Sequence, residues 1–161
     1  LHTNDCSATV DRLINMGIET FLLTSSINLI LAQRLVRKIC EKCKEPAETA
    51  TEVLINLGVD SANVSAGFPT FHGKGCAHCG GTGYRGRLAV YEVMVMDEAL
   101  KELILKGASA MDLKREAVKH GMSTLRMSAL QKVKDGLTTI DETIRVTDTD
   151  KGFGSVFSLG F

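Results

Sequence analysis

Four of the five cysteines of this 161-residue chain fall into two pairs of identical spacing, Cys40-Glu41-Lys42-Cys43 and Cys76-Ala77-His78-Cys79, separated by residues 44–75. A single CxxC is ambiguous between redox chemistry and metal binding. Two of them, with no thioredoxin-like βαβ pattern around either, point to four soft ligands for one tetrahedral ion, because each turn presents two thiolates to one side and two turns complete the shell. The predicted metal ligands are Cys40, Cys43, Cys76 and Cys79, and the predicted ion is Zn2+. Four thiolates leave no coordination position for water, so the expected role is structural, not catalytic. Structural zinc contributes on the order of 10 kcal/mol in small modules, well beyond what a short strand pair gains from its own ladder. The second pair is followed by Gly80-Gly81-Thr82-Gly83, whose glycines permit positive φ and close backbone approach to the sulfurs. His72 and His78 are ligand types as well, but His78 lies inside its turn, where the ring is expected to face solvent. Cys6 stands apart and is expected to be a small buried residue or an exposed thiol.

Charge and hydropathy narrow the partners. The chain has 19 Lys and Arg against 19 Asp and Glu, which gives no electrostatic footprint for nucleic acid and no polybasic anchor for anionic lipid. Few aromatics accompany the cysteines, which weakens the reading of a nucleic-acid-binding zinc ribbon. The most apolar segment, residues 21–32, is interrupted by Thr24, Ser25, Ser26 and Asn28, so no bilayer-spanning helix is expected. Cysteines in a metal pattern, with one left over, fit a reducing compartment. No secretory leader pattern opens the chain, and a piece of a longer polypeptide is expected.

Local patterns predict an α+β, mainly helical chain. Val10, Leu13 and Ile14 predict a helix capped by Asn4 or Asp5 and closed by Gly17; a second, mostly buried helix is expected from Glu19 to about Leu31. Residues 33–39 and 87–95 approach alternation and read as two strands, antiparallel, each abutting a CxxC turn. Thr49 to Leu57 reads as a helix stopped by Gly58, and Ser61 to Gly75 as loop. Beyond Asp97 the signals are helical: one helix with Leu100, Leu103 and Ile104 ends at Gly107, and another opens on the capping box of Ser109 and Asp112 and stops before Gly121. A third opens at Ser123 or Thr124 with Ala129, Leu130 and Val133 inward. The last starts at Thr139 with Ile140 and Ile144 on one face. The tail, residues 151–161, reads as a disordered end, a stretch foreign to the domain, or a segment that packs on a neighbour.

Taken together, LHTND, AQRLVRKIC, the two CxxC turns, TGYRGRLAVYEV and GMSTLRMSALQKVKDGLTTIDETIRVT resemble the C-terminal part of the secretion ATPase superfamily, within it the type II secretion and PilB-like type IV pilus extension ATPases. The resemblance covers residues 1–150. It implies the helical C-terminal part of a RecA-like ATPase domain: 1–39 as the end of that domain after the histidine box, 40–86 as a tetracysteine zinc insert, and 87–150 as a strand plus helical bundle. It implies that His2 ends the histidine box, near the terminal phosphate, where an imidazole could donate a hydrogen bond. It also implies a hexameric ATPase that uses ATP and Mg2+ to drive pilin or pseudopilin assembly, cytoplasmic and held at the inner membrane by a platform protein.

Phosphoryl transfer needs a phosphate-cradling loop and a carboxylate for magnesium, and this sequence has no GxxxxGK[ST]. The chain is expected to start after the Walker A and Walker B elements and to be inactive alone. Arg34, Arg37, Arg85 and Arg87 are candidates for contact with nucleotide or a neighbouring subunit, or are charges in water. The GCAHCGGTG stretch also matches the CxxCxGxG repeat of Hsp40-type chaperone zinc domains, the alternative reading. Those carry four repeats, however, and CEKCKEP lacks the GxG.

Overall fold

The computed structural model of the chain describes residues 3–150; Leu1, His2 and the tail from residue 151 lie outside the described residues. Helices predominate: α1 (Cys6–Asn15), α2 (Thr20–Ser26), α3 (Thr51–Asn56), α4 (Ser61–Ser65), α5 (Glu98–Leu105), α6 (Ala110–Lys119), α7 (Leu125–Lys134) and α8 (Ile140–Val146). The strands are β1 (Leu29–Ile39), β2 (Lys44–Ala47), β3 (Thr70–Gly73) and β4 (Tyr84–Val95), with a 3-10 turn at Ala77–Cys79. The mainly helical α+β class read from the sequence is the one observed.

The strands form two separate ribbons, β1 with β4 and β2 with β3. β2 and β3 are antiparallel, Lys44 opposite Gly73 and Ala47 opposite Thr70. At one end of the longer ribbon the Met96 N–H donates to the Asn28 carbonyl, and at the other the Cys40 N–H donates to the Gly83 carbonyl, each at 2.9 Å. The start of β1 thus meets the end of β4, and this pair is antiparallel too.

Sequence reading carried the second helix to about Leu31, whereas α2 stops at Ser26. The hydroxyls of Thr24 and Ser25 donate to carbonyls of the preceding turn, a competing local bond that disfavours helix interiors. From Leu29 the exposure alternates residue by residue, the period of a strand. Nor is α2 mostly buried: Leu23 and Thr24 point inward, but Phe21 and Leu22 are exposed. The stretch read as loop from Ser61 holds α4 and β3, and β2 contains Pro46. All three are too short for a periodic signal. Four caps stand where expected: the side chains of Asp5, Asp97, Ser109 and Thr139 accept the N–H of Ala8, Leu100, Asp112 and Glu142, each contributing about 1 kcal/mol.

The described residues separate into two compact units, 3–33 with 91–125, and 34–90 with 126–150. The first closes around Val10, Leu23, Met94, Leu100, Ile104 and Leu113, each such buried side chain contributing roughly 1.5–3 kcal/mol. Glu92 lies inside this core. Its two carboxylate oxygens accept the first amides of two helices, Cys6 N–H of α1 at 2.8 Å and Leu125 N–H of α7 at 3.1 Å, and burial raises its pKa above the usual carboxylate range. In the same unit His120, closing α6, lies between Asp97 and Glu116.

The second unit packs Leu54, Leu57, Val59, Phe68, Leu130 and Val133. Here the buried acid is Glu142, on the face of α8 that points inward together with Thr143, while Ile140 is half-buried and Ile144 exposed. Ile140 and Ile144 share a face as expected: Ile140 packs against the edge of the core, and both line a cleft with Val53, Phe71 and Tyr84. Glu142 accepts the Arg37 backbone N–H at 2.7 Å and is clamped by the guanidinium groups of Arg37 and Arg145. Burial alone would raise its pKa, but those donors bring it down to about 2.

Removing Glu142 takes the acceptor from the Arg37 backbone N–H and the shared carboxylate from two half-exposed guanidinium groups, so Glu142→Ala is expected to cost about 1–3 kcal/mol in a denaturant titration at pH 7. Because the folded value lies below the ordinary one of 4.5, the difference from wild type should persist above pH 4.5 and fade as pH falls towards 2. His120 has the opposite sign. Its hydrogen bond to Asp97 raises its pKa above the ordinary 6.5, so its contribution is complete below pH 6.5 and is lost as pH rises through the raised value. A His120→Gln variant should therefore melt lower than wild type near pH 6, with the gap shrinking in alkaline buffer.

Candidate metal centre

The end of β1 and the start of β2 flank the first cysteine pair, and the end of β3 and the start of β4 flank the second. Backbone bonds fold each turn. Cys43 N–H donates to the Cys40 carbonyl at 3.2 Å, and Cys79 N–H donates to the Cys76 carbonyl at 3.2 Å. Two further bonds bring the turns together: Cys40 N–H to Gly83 C=O and Lys74 N–H to Cys43 C=O, both 2.9 Å.

The four sulfurs converge, all lying within 4.8 Å of one another. Cys40 Sγ is 3.9 Å from Cys76 Sγ, Cys43 Sγ 3.8 Å from Cys79 Sγ, and Cys76 Sγ 3.7 Å from Cys79 Sγ. A tetrahedral ion with arms of about 2.3 Å needs ligand edges of about 3.8 Å, whereas a disulfide needs about 2.05 Å. The cysteines are free thiols, spaced for a cation and not for each other. Among the described residues this is the one cluster of His, Cys, Asp and Glu that could hold a metal ion.

Cys79 is the sulfur best prepared to be a thiolate. It accepts the backbone N–H of Cys76 at 3.2 Å and of Gly83 at 3.3 Å. Burial would push its thiol up, but these amides and the neighbouring thiols bring it down to about 6. Burial pushes the Cys43 thiol the other way, to about 12, and the thiols around it add to that rise. Cation binding would remove the conflict by taking all four as thiolates.

Gly83 joins both turns, donating to Cys79 Sγ and accepting from Cys40. It does so with φ +77° against Gly73, so close that a Cβ on Gly83 would lie 2.3 Å from the Gly73 carbonyl oxygen and one on Gly73 would lie 2.0 Å from that of Gly83. Neither position has room for a side chain. A single sequence carries a signal for the Gly80–Gly83 cluster but none for Gly73, since close approach is a property of two strands. Lys44, next to Cys43, was likewise missed: its ammonium lies 4.2 Å over the Phe71 ring and against the Gly136 backbone after α7.

The remaining candidates stay outside the cluster. His72 pairs with Glu45 at 3.0 Å, and His78 is exposed, its carbonyl accepting from Arg85. Cys6 is buried and donates to the carbonyls of Ile30 and Glu92; burial, with Glu92 beside it, pushes its thiol to about 12, which makes it inert. Arg37 serves Glu142 and lies 4.1 Å over the Tyr84 ring, Arg34 is half-buried, and Arg87 is exposed. His2 lies outside the described residues. No described helix is long and apolar enough to cross a membrane.

A model of the family described as Type II/IV secretion system protein matches residues 1–145. The type IV pilus assembly ATPase PilB of Myxococcus xanthus is 53% identical over 152 residues, covering 94% of this chain and 27% of that protein. PilB of Thermus thermophilus is 41% identical over 147 residues, 91% of this chain and 16% of that protein. The type II secretion system protein E of Pseudomonas aeruginosa is 43% identical over 148 residues, 91% of this chain and 28% of that protein. The chain thus spans less than a third of the length of these relatives, and the chaperone reading of GCAHCGGTG gives way to a match that runs through both cysteine turns.

Gly83→Ala should lower metal retention against a competing chelator, because the new Cβ pushes apart the two peptides that hold the sulfurs. Cys76→Ser should release the ion outright. Elemental analysis of both purified variants checks this, and wild-type metal content in Cys76→Ser would contradict the ligand assignment.

Proposed function

We propose, from the premise that the chain belongs to the Type II/IV secretion system protein family, that it is the zinc-binding C-terminal portion of a hexameric ATPase driving pilin or pseudopilin assembly. The supporting observation is the coincidence of the family match over residues 1–145 with a four-sulfur cluster of tetrahedral dimensions. Relatives named for pilus assembly are 53% and 41% identical to the chain and one named for type II secretion is 43% identical, so the proposal is framed for both machines. The parent works in the cytoplasm and meets the inner membrane through a platform protein.

The division of labour follows from the residues present. The 161 residues contain no phosphate-cradling GxxxxGK[ST], so the phosphate loop and the magnesium carboxylate belong to other parts of the parent. His2, by its place in the family's histidine box, would supply a hydrogen-bond donor near the terminal phosphate. Residues 40–86 form the insert, and its ligands Cys40, Cys43, Cys76 and Cys79 hold Zn2+. When bound, the ion supplies a closed-shell crosslink and no reacting water.

This chain's own residues turn the crosslink into shape. Cys40 directly follows β1, and the strand's last amide, Ile39 N–H, donates to the Leu137 carbonyl at 2.9 Å, while the Thr138 hydroxyl donates to the Arg37 carbonyl at 2.8 Å. The metal turns, the end of β1 and the α7–α8 connection are therefore one hydrogen-bonded assembly. Tyr84, directly after Gly83, continues it through its hydroxyl, 2.9 Å from Thr139 Oγ1. The proposed role is to keep this unit rigid, so that movement generated at the nucleotide is transmitted and not absorbed.

A phosphate-release assay with Mg2+ and ATP tests the reading. The full-length parent should turn over and the 161-residue chain should not, while Cys76→Ser in the parent should lower turnover together with its zinc content. Hydrolysis by the isolated chain at the parent's rate would overturn the proposed division.

A further inference from the structure

The ribbon of β1 and β4 is apolar on both faces within the first unit. One face is the core, through Ile30 and Met94. The other is in water: Leu29 is 55% exposed, Leu31 53%, Tyr91 47%, Val93 40% and Val95 63%. The Asn28–Met96 bond sets the register, placing Leu29 opposite Val95 and Leu31 opposite Val93, and Gln33 Nε2 reaches Tyr91 Oη at 3.5 Å. These side chains form one continuous strip with no charged member; Glu92, the only acid in that stretch of β4, points to the core.

A strand that meets water on one face alternates apolar and polar residues, whereas one covered on both faces reads as a near-continuous apolar run. Leu29-Ile30-Leu31-Ala32 and Leu88-Ala89-Val90-Tyr91, followed by Val93-Met94-Val95, are runs of the second kind. Two-stranded ribbons are also marginal by themselves, and each strand here has one edge with no strand partner among the described residues.

We infer that this strip is an interior surface of the parent protein, covered by another segment of the same polypeptide lying outside the 161 residues. The inference rests on the reading of the chain as part of a longer ATPase. The Myxococcus xanthus relative shares 152 residues with it that make up only 27% of that protein's length, so ample chain exists in such a parent to cover the face. The absence of charge selects this occupant over a second copy. Subunit surfaces that must exist in water before they associate carry a polar rim, while a face covered during folding needs none.

Carbene footprinting of the full-length parent, diluted until it is monomeric, reads the surface directly. The strip should resist labelling, while Leu105 on α5, equally exposed at 53% and outside the strip, should label freely. In the same protein Leu31→Lys and Val93→Lys should each lower the melting temperature by about 5 °C or more, and Leu105→Lys by much less. Labelling of the strip equal to that of Leu105 in the monomer overturns the inference. So does protection that appears only on self-association, which would assign the face to a second copy. Neither readout involves nucleotide: a protected strip in a parent that hydrolyses no ATP would sink the functional reading alone.

Discussion

Four sulfurs within 4.8 Å of one another, three of their pairs 3.7–3.9 Å apart, are an arrangement that only a cation makes favourable. Without one, the neighbouring sulfurs pull in opposite directions, Cys79 towards thiolate and Cys43 towards thiol; with one, the same burial strengthens every metal–sulfur bond. The geometry around the sulfurs follows from that demand. Gly73 and Gly83 give up side chains so that two backbones can touch, and Gly83 uses both its N–H and its carbonyl to tie one cysteine turn to the other. A short hairpin of β2 and β3, with Pro46 in one strand, has little ladder energy of its own. It persists because its ends are pinned.

The two compact units use buried carboxylates differently. Glu92 is held by backbone amides at two helix starts, where partial positive charge gathers, and burial still raises its pKa. Glu142 is met by two guanidinium groups and remains ionised far below its ordinary range. The first holds two backbone amides inside the first unit; the second is a charge lock on α8. Only the second is tied through Arg37 to the strand that delivers Cys40, so the metal turns and the C-terminal helix share a load path inside one unit.

How much of this the sequence disclosed depends on the range of each signal. The two CxxC pairs specify both chemistry and partner, and the structure brings those four sulfurs together. Asp5, Asp97, Ser109 and Thr139 were legible as caps because capping acts within three residues. The end of α2 was not, since Leu29-Ile30-Leu31 fits helix or strand until a partner strand decides. β2 and β3 are four residues each, too short to show a period, and are set by the metal turns beside them. Glu142 follows the cap Thr139 by three residues and carries no local sign of burial; its lock depends on Arg37, 105 positions away, as well as on the nearby Arg145. The exposed strip on β1 and β4 was hidden for a related reason, because apolar residues read as core whether or not these 161 residues contain the cover.

The central claim is that one cation is bound by four thiolates at tetrahedral distance. X-ray absorption at the zinc edge of the purified protein tests it most directly. The account predicts a single shell of about four sulfur scatterers at about 2.3 Å. A shell containing nitrogen or oxygen ligands in place of one or more sulfurs, or no zinc edge at all, would contradict it.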